Sequence, residues 1–109
     1  MPDTRCVEKS AVESNYTNIN PNSKSHKLFL EAHAKQQSEE YDEAMRLYVE
    51  CIRKYANPHA MCNLGYIYLL CFGYTNYCIK AKMLFECAMN LGDSMGACNL
   101  AYLYQFGYG

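Results

Sequence analysis

The chain has 109 residues, with 10 Lys and Arg against 11 Asp and Glu, a length that fits one small domain. So near-neutral a balance leaves no surplus of cations for sequence-independent attraction to nucleic acid or to an anionic membrane. Half of the residues are hydrophobic, yet no apolar run approaches the roughly 18 consecutive positions that a membrane span needs. The first eight residues, Met1 to Glu8, carry acidic groups and lack the apolar core of a secretory signal, so cytoplasmic residence is expected. For the same reason the glycosylation triplet Asn15-Tyr16-Thr17 is read as a chance match. Seven cysteines are a high and odd number. In a reducing compartment they are expected to serve as small buried hydrophobes.

In chain order, residues 1–24 are rich in Ser and Asn, with few large apolar groups to offset the entropy of ordering them. They are read as a polar, disordered tail, and residues 25–109 as the folded domain. From Ser25 onward apolar residues recur every three or four positions, which predicts helices. The first, over 26–37, turns Leu28, Phe29 and Ala32 inward. The second, over 41–55, buries Ala44, Leu47, Tyr48, Cys51 and Ile52. Asn57-Pro58 closes that helix and opens the next. A further helix over 78–91 carries Ala81, Leu84, Phe85, Ala88 and Leu91 on one stripe, and Gly92 ends it. The acidic run Glu39, Glu40, Asp42 and Glu43 suits a helix start, where carboxylates meet the positive end of the macrodipole.

Internal self-similarity places the remaining two helices. Cys62-Asn63-Leu64-Gly65-Tyr66-Ile67-Tyr68 returns as Cys98-Asn99-Leu100-Ala101-Tyr102-Leu103-Tyr104, identical at five of seven positions and offset by 36 residues. Phe72-Gly73-Tyr74 is likewise echoed by Phe106-Gly107-Tyr108, at an offset of 34. A recurrence at this period signals stacked helical units. Small residues at Ala32, Ala44, Gly65, Ala81, Ala88 and Ala101 are expected where helix axes approach, with Tyr48, Tyr68, Phe85 and Tyr104 filling the flanking space. About five helices follow.

Tyr41-Asp42-Glu43-Ala44, with Tyr48 and Cys51, resembles the second helix of a tetratricopeptide repeat. Leu64-Gly65, Tyr68, Gly73, Lys80-Ala81, Phe85, Cys87-Ala88 and Gly92 resemble the related Sel1-like repeat, which restarts at Leu100-Ala101 and Tyr104. The resemblance implies an all-α fold, an α-solenoid of antiparallel helix hairpins, acting as a scaffold or adaptor that binds a protein or peptide. It departs from the family pattern at Glu31 and Lys35 and in the late glycine after Tyr68. The groove of such an array is lined by the first helix of each hairpin. Here that implies Phe29, His33 and Gln36, then Cys62, Asn63, Tyr66 and Leu70, then Cys98, Asn99, Tyr102 and Phe106. Phe29, His33, Asn63, Tyr66, Leu70, Asn99, Tyr102 and Phe106 are the expected protein-binding residues. Tyrosine brings contact area with a polar handle, and Asn can hydrogen-bond a peptide backbone. The basic clamp that one subgroup turns toward acidic C-termini is not expected, because Phe29, His33, Met95 and Asn99 stand in its place.

From Ala56 to Gly109 the only charged residues are Lys80, Lys82, Glu86 and Asp93, alongside seven tyrosines. A solvated surface normally carries more charge, so part of this half is expected to face a partner, further repeats or a second copy. Repeat arrays end in a polar capping helix, and none follows Gly107. A fragment of a longer array, or self-association through the uncapped last helix, is therefore the alternative expectation. No cofactor, metal or catalytic residue is expected: no Cys-x-x-Cys pair is present, and His59 with Cys62, Cys71 and Cys78 makes only a poor zinc set. No cysteine nucleophile with a base is evident either. Cys51 with Cys62 and Cys87 with Cys98 are each 11 residues apart and are the conceivable disulfides. The bridges of secreted Sel1-type relatives would instead fall at Ile52, Met61, Met89 and Ala97, which argues against them.

Overall fold

Apolar residues at helical spacing, bounded by Asn, Asp and Gly, fold into five α-helices in the computed structural model, which describes residues 23–107. Most of the expected tail, the triplet at 15–17 and Tyr108 lie outside the described residues. The helices are α1 Lys24–Gln37, α2 Tyr41–Tyr55, α3 Pro58–Phe72, α4 Tyr74–Asn90 and α5 Ser94–Gln105. Among the described residues the chain is all-α, and each helix packs on the next, with α3 also touching α5. No helix is long and apolar enough to cross a membrane.

Local chemistry sets the boundaries. Ser23 accepts the backbone N–H of His26 at the head of α1. Asn57 accepts from His59 and Ala60 ahead of α3, with Pro58 in the first turn. Asp93 accepts from Met95 ahead of α5. Each occupies a cap position, where a short polar side chain satisfies amides that the helix leaves orphaned. Gly92 and Gly73 both adopt φ of 93°, a conformation open to glycine and costly for other residues. Gly73 is the sole residue between α3 and α4, so α4 begins at Tyr74, four residues ahead of the expected start at Cys78. A single positive-φ glycine reverses the chain there without a longer loop.

Two apolar clusters form the core. One gathers Ala32 from α1, Ala44, Leu47, Tyr48 and Cys51 from α2, and Ala60, Leu64 and Ile67 from α3. The other joins Met61 and Leu69 of α3 to Ala81, Phe85 and Ala88 of α4 and to Met95, Leu100 and Leu103 of α5. Helix α3 serves both. Close approach depends on glycine in two places. A Cβ on Gly65 would lie 2.7 Å from the Phe85 ring, and one on Gly96 would lie 2.5 Å from the carbonyl oxygen of Phe85. The expected small residues Ala32, Ala44, Gly65, Ala81 and Ala88 are buried, but Ala101 is exposed. Leu91, expected inward, is 53% exposed, because it is the C-cap of α4 and no longer lies on its inner stripe. Tyr104, expected to fill core space, is exposed as well.

Candidate functional site: a first-helix stripe and a second groove

The expected binding residues fall on α1, α3 and α5, the helices that carry the repeated heptamers and their upstream counterpart. On α3, Asn63, Tyr66 and Leu70 are three and four residues apart, and Asn99 and Tyr102 of α5 with Phe106 at its C-cap repeat that spacing, so each set follows one stripe. Leu70 is 46% and Phe106 56% exposed, while Tyr66 and Tyr102 are half-buried. The Tyr102 ring stands 4.6 Å from Phe106 and 6.5 Å from Tyr74 of α4, centroid to centroid. On α1, Phe29 stacks on His33 at 5.8 Å and also faces Tyr48 at 5.9 Å and His59 at 5.5 Å. Phe29 is thus half-buried against α2 and α3, His33 is half-buried beside it, and both offer only part of their surface outward.

The two asparagines sit deeper than their assigned role implies. Asn63 and Asn99 are both buried. The Asn63 amide donates to the Tyr48 hydroxyl at 3.1 Å, and that hydroxyl donates to the Gln36 side-chain oxygen. This relay links α3, α2 and α1 through an otherwise apolar core, and burial holds the Tyr48 hydroxyl well above the ordinary phenol range. Buried polar groups are costly unless paired, so the chain of three specifies how the helices meet. The sequence marks Asn63 and Gln36 as polar residues on inner helices, but only their convergence on Tyr48 shows the link.

A comparable tie recurs at each junction. The Asn57 amide donates to the Ser25 hydroxyl at 2.9 Å, 32 residues away, and the Cys62 thiol faces the Asp93 carboxylate at 3.8 Å, 31 residues away. In both cases a residue near the start of one helix holds the N-cap residue of the next helix but one. Burial, followed by the adjacent Asp93 charge, pushes the Cys62 thiol far up, so it stays protonated and donates to the carboxylate. His59 lies nearby; burial lowers its pKa from 6.5, partly opposed by Asp93 and reinforced by His26. Cys51, Cys62, Cys71, Cys78 and Cys87 are free thiols, so neither the Cys51–Cys62 nor the Cys87–Cys98 bridge is formed. Cys71 and Cys87, expected as small core residues, are exposed. Among the described residues no group of three or more His, Cys, Asp and Glu is placed to hold a metal ion.

A concavity not anticipated from the sequence runs along the outer face of α2 beside the α3–α4 turn, with a volume of about 590 Å³. Tyr68, Phe72 and Tyr77 form its aromatic wall: Phe72 stacks on Tyr77 at 4.6 Å, and Tyr68 lies 5.5 Å from Tyr77. Lys80 sits over the Tyr77 ring at 5.5 Å, within cation–π range. The opposite wall comes from α2, where Met45 and Val49 supply the apolar floor and Arg46, Arg53 and Lys54 the charge. The i, i+4 pair Tyr68 and Phe72 was the available signal, but nothing in the linear sequence says that α2 lies beside it.

Comparison of the chain with protein-family models, with curated proteins and with solved structures finds no match.

Proposed function

We propose that this chain is a helical-repeat module of the tetratricopeptide or Sel1-like kind, an α-solenoid of antiparallel hairpins that binds a protein or peptide along its first-helix stripe. The observation that carries the reading is the pairing of two equivalent stripes, Tyr66 with Leu70 on α3 and Tyr102 of α5 with Phe106 at its C-cap, whose outer members are half exposed. Exposed aromatic and aliphatic side chains in a segment with only four charges favour an interface over open solvent. The repeated heptamer and the matching junction ties, Ser25 to Asn57 and Cys62 to Asp93, support the repeat reading. Mechanism in this reading is shape-complementary binding without chemistry, in the cytoplasm and with no cofactor.

The test is capture of partners from a native lysate by the tagged chain under reducing conditions, repeated with Tyr66→Ala combined with Tyr102→Ala. A near-stoichiometric partner that the double variant loses, while its circular dichroism is unchanged, supports the reading. Retention of every partner by a folded double variant contradicts it. A second reading, assembly through the last helix, is favoured by the exposure of Ala101 and Tyr104 on α5. Small residues mark helix crossings elsewhere in this fold, and no described helix covers this one. Sedimentation across the micromolar range separates the two, since a monomer throughout argues against self-assembly.

A further inference from the structure

Helix α3 presents two unlike faces. Tyr66 and Tyr68 are two residues apart, about 200° around the helix, so the groove walled by Tyr68 and Phe72 lies on the side opposite the Tyr66 and Leu70 stripe. Its charge is unbalanced, with four cations against two carboxylates along its walls. Glu50 is already shared between Arg46 and Lys54, at 3.8 and 2.9 Å, and Glu43 holds Arg46 from the other side. Arg53 and Lys80 have no carboxylate within ion-pair distance among the described residues. The charge is also polar along the groove: Asp42 stands at the start of α2, and Arg53 and Lys54 at its end. Between them, Val49 and Phe72 are exposed apolar surface.

From this arrangement we infer that the groove between α2 and the α3–α4 turn is a second docking site, for a short acidic peptide segment of a partner protein. An aliphatic or aromatic side chain of the segment seats on Met45, Val49 and Phe72, and its carboxylates lie toward Arg53 and Lys80. The volume, about 590 Å³, holds a few side chains, within the range of ordinary ligand sites. Arginine offers a fork matched to carboxylate geometry, and the Lys80 ammonium held over Tyr77 adds a second fixed charge. The polarity fixes a direction, with the acidic end of the segment at the C-terminal end of α2.

The experiment is selection of a random peptide library on the full chain, followed by fluorescence anisotropy of the enriched peptides. The expected result is enrichment of acidic sequences with an apolar residue between the acids. Their affinity should fall at least tenfold on Arg53→Glu with Lys80→Glu and weaken as salt rises. It should be unchanged in Tyr66→Ala with Tyr102→Ala, which separates this site from the first-helix stripe. Absence of acidic enrichment overturns the inference, as does equal binding to the folded charge-reversed variant, or loss in the tyrosine variant. Groove-dependent binding to phosphatidylserine vesicles tighter than to any selected peptide also overturns it, by assigning the site to a membrane surface.

Discussion

Gly96→Ala is the sharpest test of the packing. The added methyl would lie 2.5 Å from the Phe85 carbonyl oxygen and 2.7 Å from the Met89 backbone nitrogen. Both are main-chain atoms inside α4, so no side-chain rotation relieves the clash. Reaching an ordinary 3.4 Å contact requires α4 and α5 to part by nearly an ångström at the crossing, which also loosens Ala88 and Met95 in the same cluster. Overpacking of this kind costs about 3 kcal/mol at the upper end of its usual range. Alanine recovers up to about 1 kcal/mol through better helix propensity. The expected net loss is about 2 kcal/mol, or a Tm lower by roughly 8–16 °C for a domain of this size. Urea and thermal denaturation followed by circular dichroism measure it. Ala101→Gly on the exposed side of the same helix isolates the propensity effect and should cost only about 1 kcal/mol. A Gly96→Ala protein as stable as the wild type would refute the close approach of α4 and α5 at this point.

Three further outcomes follow from named contacts. Tyr48→Phe removes the middle of the Gln36–Tyr48–Asn63 relay and leaves the buried Asn63 amide without its partner; urea denaturation should show a loss of about 1–3 kcal/mol. Burial depresses the His59 pKa below 6.5, so the unfolded chain binds the proton first on acidification. The His59 contribution is therefore fully present above pH 6.5 and is lost as pH falls below it. The urea midpoint should drop between pH 7 and 5, and drop less in His59→Phe; an equal drop in both would contradict the assignment. A short iodoacetamide pulse resolved by mass spectrometry should label exposed Cys71 and Cys87 ahead of buried Cys51 and Cys62, and uniform labelling would contradict the fold.

The helices themselves were legible because their signals are local. The inner stripe of α2 is read directly from Ala44, Leu47, Tyr48 and Cys51, all buried, and the caps at Asn57 and Gly92 are single-residue signals. The errors arise where a neighbour decides the outcome. The start of α4 was displaced because one glycine sufficed as the whole turn. Ala101 has the small size of a crossing residue, but no described helix crosses it. Asn63 fits the spacing of a surface stripe, yet the Tyr48 hydroxyl holds it inside. The groove along α2 is illegible for the same reason: its walls come from residues 42–54 and 68–80, and periodicity within one helix carries no information about which outer faces stand side by side. The stripe on α3 and α5 was visible because its parts repeat within the sequence.

Protein binding along the first-helix stripe is tested by quantitative affinity capture with three proteins: the wild-type chain, the Tyr66→Ala, Tyr102→Ala variant and, as a surface control outside the stripe and the groove, the variant Ile79→Ala at an exposed position of α4. The expected result is a partner recovered near stoichiometry by the wild type and the control, and reduced at least tenfold by the double tyrosine variant at unchanged helicity. Equal recovery by all three proteins would contradict it.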